Sequence, residues 1–381
     1  MVLSSFAGAL SISQIHAGAS YVTPNEAILT AQKHLQWASS NLPNFKDWQN
    51  AKLSQPVVYY FPNGTKSAYE FTVLVNGKPD GFILVAAQRY MPSVLEFGKG
   101  ETPSRRLGRI GAARIRGFSR RQHRLLYYGA LSYSIDVGNG KAMDIHGRVV
   151  SFPKRIALFS KPYTRSLETS SIYPASTYVE KHIPNVPAWT TTDPGSYSNP
   201  YPYNMGSSGD PWSWWDGCAP IAASMVIAYY EPQLRDSWDR EALIDVLHYT
   251  MKTDENGGTQ ISNVAPGIED LHEEYQRISN MITLNNFVRN DYDAWLESRS
   301  TGFYDAISNI NNDHPLLLLM LDGGSALDRS QDYGNHAVTV VGYVGYSSSF
   351  YWEIHDTWDS ADHYIADGNW KDAWFVFVSR R

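Results

Sequence analysis

Cys218 is the only cysteine among 381 residues, and it stands in the run Trp214-Trp215-Asp216-Gly217-Cys218-Ala219-Pro220. A single cysteine forms no internal disulfide and falls short of a thiolate-rich zinc site, so it serves either as a small core residue or as a nucleophile. Ala222, Met225, Val226 and Tyr229 recur at i, i+3, i+4 and i+7 and predict a helix with one apolar face. Pro220 suits the first turn, where its missing N–H has no intrahelical partner, and Pro232 stops the helix. The thiol then sits at a helix N-terminus, a position that favours the thiolate.

A thiolate nucleophile needs a base, and His336 is the best placed of the eleven histidines. It follows Tyr333-Gly334-Asn335 and opens the β-branched run 337–343, which reads as a strand. The alternative is a histidine held at a strand edge for structural reasons. A second strand, 350–356, follows the Ser347-Ser348-Ser349 turn, and alternation puts Trp352, Ile354 and Asp356 on one face with Glu353 and His355 on the other. Asp356 either accepts a hydrogen bond from a histidine ring or ends the strand facing solvent. Trp358 would shield such a bond from water. His355 points away from Asp356 by this alternation and ranks below His336.

Gly217-Cys218-Ala219-Pro220 before an Ala-rich helix, Gly334-Asn335-His336-Ala337-Val338-Thr339-Val340-Val341-Gly342-Tyr343, and a strand ending in Asp356 together resemble the C39-like branch of papain-fold cysteine peptidases. Ile183-Pro184-Asn185-Val186-Pro187 and Gly257-Gly258-Thr259 are similar to that branch too, and Asp356-Thr357-Trp358 resembles the Asn-Ser-Trp of papain. The resemblance covers roughly residues 183–378. It implies an α+β catalytic domain over 183–381, a helical part packed on an antiparallel sheet, with Cys218 as nucleophile, His336 as base and Asp356 orienting it. It implies no metal and no cofactor. One departure stands out: papain-like enzymes place a glutamine before the cysteine to bind the oxyanion, and none lies between 183 and Cys218. The Cys218 backbone N–H supplies one donor; Asn204, Ser213 or the Trp212 indole is left for the second. Trp214, Trp215 and Trp358 are expected to line the cleft. Helices are expected over 238–251, 264–275 and 291–297, and a buried strand over 316–321.

The other half differs in charge. Residues 1–168 carry 21 Lys and Arg against 9 Asp and Glu, a formal +12, while 169–381 carry 11 against 29, a formal −18. Basic residues crowd at Arg105, Arg106, Arg109, Arg114, Arg116, Arg120, Arg121 and Arg124. Complementary charge favours docking of the two halves, and with no nucleic-acid-binding motif present that partner class is set aside. Thr23-Pro24-Asn25-Glu26 reads as a capping box, and strand-like runs follow, two of them joined at Asn76-Gly77. A helix followed by a meander resembles the pro-domains of streptopain-type peptidases, which implies an intramolecular inhibitor. The expected layout is a possible signal segment over 1–19, a basic α+β pro-domain over 20–160, a linker and activation segment over 161–182 with Lys161 or Arg165 as cleavage points, and the catalytic domain over 183–381, each domain with its own core. No apolar run reaches the length of a membrane span.

These expectations describe a secreted papain-like cysteine peptidase made as a zymogen, acting on protein or peptide substrates. Two alternatives are an acyl transferase of transglutaminase-like chemistry and a non-catalytic binding protein on a degenerate peptidase fold.

Overall fold

The computed structural model describes residues 21–119, 123–152, 178–190, 216–254, 257–280, 285–321, 336–346 and 349–381. Its first helix starts where the capping box puts it. Thr23 Oγ1 accepts from the Glu26 N–H at 3.3 Å and Glu26 Oε2 accepts from the Thr23 N–H at 2.8 Å. The helix, α1 (Pro24–Asn41), buries Ala27, Ala31, Leu35 and Ala38. Five strands follow: β1 (Lys52–Leu53), β2 (Val57–Tyr60), β3 (Lys66–Val75), β4 (Lys78–Ala86) and β5 (Val94–Lys99). Asn76 and Gly77 turn β3 into β4 with φ of 51° and 78°, as a two-residue hairpin of this hand requires.

Helix α2 (Pro103–Arg114) carries part of the basic cluster. Buried Glu70 of β3 anchors it, accepting from Ser104 N–H at 2.9 Å and Ser104 Oγ at 2.5 Å. Four short strands complete this half: β6 (Leu125–Tyr127), β7 (Tyr133–Gly138), β8 (Lys141–Asp144) and β9 (Val149–Ser151).

The second half begins with β10 (Val179–His182), which pairs antiparallel with β13. The last residues of the expected linker are therefore part of the sheet. Helices α3 (Cys218–Tyr230), α4 (Ser237–Thr250), α5 (Ile261–Glu269) and α6 (Leu271–Ser279) precede β11 (Tyr292–Ser298) and α7 (Arg299–Asn311). The strands β12 (Leu316–Leu321), β13 (His336–Tyr346), β14 (Ser349–His355), β15 (Asp362–Ala366) and β16 (Asp372–Arg380) close the chain. Two expectations fail here. The helix expected over 264–275 is two helices broken at Asp270, and 291–297 is a strand rather than a helix. Tyr292–Ser298 finds seven antiparallel partners along β16, and sheet pairing overrides the local pattern.

The halves share two apolar clusters, although the cluster around α3 and α4 is the second half's own. Strand β15 pairs with β5 through His363↔Gly98, Tyr364↔Phe97 and Ile365↔Glu96. The described strands thus form one sheet in the order β11-β16-β12-β13-β14-β15-β5-β4-β3-β2-β6-β7-β8-β9. One face buries α1 against Val344, Tyr351 and Tyr364, and the other joins Phe82, Leu95 and Tyr133 with Trp352, Ile354 and Ile365. Two sequence halves with opposite charge fold around shared apolar surface, which correctly read composition does not exclude. Residues 1–19 and most of 161–182 lie outside the described residues. Among those described, no helix is long and apolar enough to cross a membrane.

His34 of α1 is buried in this shared core, its ring 4.3 Å from Phe97 and 5.7 Å from Tyr351, and its Nε2 has no hydrogen-bond partner among the described residues. Burial lowers its pKa from 6.5 to about 3. The unfolded chain therefore takes up this proton first; the group's contribution is fully present above its unfolded value and is lost as pH falls through that window. Replacing it with an uncharged ring, His34→Phe, should raise stability relative to the unmodified chain by about 2 kcal/mol near pH 5. The gain should shrink towards neutrality. Denaturant unfolding at several pH values checks it, and a gain independent of pH would show that packing rather than protonation is responsible.

Candidate active site

Helix α3 is hydrophobic all round instead of on one face: every residue from Ala219 to Ala228 is buried. It is a core helix, and Thr339 Oγ1 of β13 donates to its Ala222 carbonyl at 2.8 Å, fixing helix against strand. Gly217 precedes it with φ of 99°. A Cβ there would stand 2.8 Å from the Gly257 carbonyl oxygen, so glycine is required both for backbone conformation and for contact with the Gly257-Gly258-Thr259 segment.

This contact builds a pocket of about 90 Å³ lined by Cys218, His336, Ala337, Gly257–Gln260, Leu319–Leu321 and Arg148, among others. Cys218 and His336 are thus brought together from α3 and β13. The His336 Nε2–H donates to the Asp356 backbone carbonyl at 2.9 Å, which leaves Nδ1 as the ring's acceptor. Trp358 covers the ring with its own, centroids 4.8 Å apart.

Asp356 is a correction. It is buried, yet its carboxylate does not reach His336. Oδ1 accepts from the Trp358 N–H at 2.8 Å and the Asp359 N–H at 3.2 Å, and Oδ2 lies 3.4 Å from His363 Nε2. The residue stands one past the end of β14, where strand alternation no longer sets the side-chain direction. His363 also meets Asp359 Oδ1 at 2.9 Å. Burial disfavours its charged form, but the two carboxylates outweigh burial and raise its pKa to about 9. His355 faces Pro187 O and Asp362, consistent with its low rank.

Electrostatics corrects a second expectation. Burial pushes the Cys218 thiol up, more than the backbone N–H of Ala337 and the Arg148 cation lower it. Burial also lowers His336 to about 4, with Arg148 and Arg106 adding repulsion. In this state the pair is a neutral thiol beside a neutral imidazole. The half-buried thiol of Cys218 gains less from the helix N-terminus than it loses to desolvation.

The cations come from the first half. Asp144 accepts from the His146 and Arg148 N–H groups, both at 2.9 Å, and from Arg148 Nε at 2.7 Å. Gly147, at φ of 82°, completes the turn that presents Arg148 to the pocket. His146 packs on Trp358 with ring centroids 6.1 Å apart. From α2, Arg106 Nη1 donates to the Trp358 carbonyl at 2.9 Å, and its guanidinium lies 5.8 Å from the indole centroid. The basic cluster docks only in part. Arg109 and Arg124 pair within their own half, with Glu101 and Asp136. Sequence reading missed Arg148 and His363, and placed Arg106 only in the docking cluster, because no spacing ties them to Cys218. Asn204, Trp212, Ser213, Trp214 and Trp215 lie outside the described residues.

Gly217→Ala should destabilise the protein by roughly 1–3 kcal/mol, the range for a strained φ, and carry the clash with Gly257 besides. Gly77→Ala, whose added Cβ meets nothing within 4 Å, should cost less. Denaturant midpoints for the two variants check the order.

No curated protein matches the chain. Residues 197–376 match the Peptidase_C39 like family, a span that contains Cys218, His336 and Asp356. Over this span the chain is similar to C39-like peptidases.

Proposed function

We propose that the protein is a secreted cysteine peptidase held as a zymogen by its N-terminal half. The carrying observation is that Cys218 and His336 line one pocket whose wall also includes Arg148 from that half. The family match supports peptide-bond chemistry. A neutral thiol and imidazole, with two arginines beside the ring, is what a covered resting state would hold.

In the proposed reaction the Cys218 Sγ–H proton passes to His336 Nδ1 as Sγ adds to the scissile carbonyl carbon. The Cys218 backbone N–H is one donor to the resulting oxyanion. Collapse breaks the C–N bond, and His336 returns its proton to the departing amine. Water, deprotonated by His336, then adds to the thioester; the acid product leaves and the thiol is restored. Nε2, held by Asp356 O, keeps the ring aimed through both steps.

The test is hydrolysis of a denatured protein substrate by the intact chain, by chain nicked within 153–177, and by Arg148→Ala. Nicking and Arg148→Ala should each raise the rate, and Cys218→Ala should lower it on the order of 10³-fold or more. Full activity in the intact chain would remove the zymogen. Incorporation of an added amine in preference to hydrolysis would turn the reading to acyl transfer. Inactivity with a slow-labelling thiol in every form would leave a binding protein on a peptidase fold.

A further inference from the structure

The turn after β14 contains a residue in a conformation that β-branched side chains rarely adopt. Thr357 has φ of 68°, is fully buried, and its Oγ1 has no hydrogen-bond partner among the described residues. Such a backbone costs about 1–3 kcal/mol and persists only where its surroundings over-determine it. On one side of Thr357 the Asp356 carboxylate is held by the Trp358 and Asp359 N–H groups and by His363. On the other side, Trp358 is held by Arg106, through its carbonyl at 2.9 Å and across its ring. That second anchor belongs to the N-terminal half. The helix that carries Arg106 is fixed in turn, because α2 is tied to buried Glu70 through Ser104.

We propose that Arg106 is a positioning residue which grips Trp358 and so holds the Asp356 carboxylate on His363 and off His336, and that its withdrawal lets the turn relax and bring that carboxylate to His336 Nε2. This deepens the peptidase reading and rests on it. The carbonyl now bonded to Nε2 orients the ring but carries no charge. A carboxylate in its place favours the imidazolium by roughly 1–3 pKa units. Transfer of the Cys218 proton to Nδ1 then gives a thiolate–imidazolium pair, with no atom gained or lost. The charged and titratable groups facing this centre are His363 on β15, Asp359 in the turn, Arg106 on α2, His146 and Arg148 on the β8–β9 turn, and Glu96 on β5 beside His363.

The experiment is alkylation of Cys218 by iodoacetamide against pH in the full chain, comparing the unmodified protein with Arg106→Met, Arg106→Ala, Arg148→Ala and Arg106→Met combined with Asp356→Asn. Methionine keeps an apolar stem on the indole and so protects folding, which circular dichroism checks for each variant. Arg106→Met should speed labelling near pH 6.5 by roughly tenfold or more, the worth of one pKa unit. Adding Asp356→Asn should abolish that gain. Arg148→Ala should raise labelling through access at high pH, while loss of the cation that lowers the Cys218 thiol should move its profile towards higher pH, with or without Asp356. A gain that survives Asp356→Asn overturns the proposal, since loss of a nearby cation alone would then explain it. Unchanged labelling in both Arg106 variants, with Arg148→Ala faster, also overturns it and leaves the peptidase reading standing. Slow labelling of every form below about pH 8, nicked chain included, removes the peptidase reading and this proposal with it.

Discussion

The pairing of β5 with β15 is the constraint on which the rest of the structure depends. It spans only three residue pairs, yet it converts two runs of strands into one sheet. Without it, β15 would be an exposed apolar edge and the faces of β14 and β15 would lose their cover. The approach is close. A Cβ at Gly98 would fall 2.4 Å from His363 Nδ1, so only glycine allows the strand to lie against that ring. Next to it Phe97 stacks on Tyr364 at 4.7 Å and 5°. Glu96 is buried beneath, accepting from Tyr127 at 2.7 Å and Tyr133 at 2.6 Å. Once this register is set, β6 to β9 extend the sheet at its far end, and the Asp144–Arg148 turn meets the Cys218 pocket.

The charge asymmetry between the halves contributes less than its size suggests. Some basic residues pair within their own half, as Arg109 does with Glu101 and Arg124 with Asp136. Exposed pairs of this kind are worth about 0–1 kcal/mol and are screened by salt. Register comes from buried groups instead. Asn369 Nδ2 donates to the Tyr127 hydroxyl at 2.7 Å, and the Ala130 N–H donates to the Asn369 carbonyl at 2.7 Å. Such bonds are costly to leave unmade in a dry interface, and that penalty selects one docking geometry over its neighbours.

The sequence made the individual pieces of the site legible and their relation only partly so. A glycine before a lone cysteine, a proline in the first turn and a β-branched run after His336 are local signals, and each led to the right element. The cap at Thr23 and the turn at Asn76-Gly77 were legible for the same reason. What failed depends on distance. The direction of the Asp356 side chain is set by His363 and by the turn at Thr357, which no alternation pattern contains. The arrival of Arg148 follows from fourteen strands in a given order, and residue 148 lies 70 positions from Cys218. The thiol's proton affinity was misjudged because a helix terminus is visible in sequence and desolvation is not. Tyr292–Ser298 was misread because its partner strand lies near the end of the chain.

Burial sets the protonation state at the Cys218 pocket, and it acts in both directions. Excluding water from His336 disfavours its cation and leaves a neutral pair, which is a poor nucleophile. The same exclusion strengthens every fixed dipole aimed at charge that develops during acyl transfer. A cover made of the chain's own residues therefore need not distort Cys218 or His336 to keep them quiet. Arg148 and Arg106 bring positive charge to the ring, and Trp358 keeps solvent from it. On the proposed reading, moving that cover changes three quantities together: access to the thiol, hydration of the imidazole and the partner of Nε2. Only the last requires the backbone of the turn to change, and Thr357, strained and with no partner for its hydroxyl among the described residues, has the least to lose by moving.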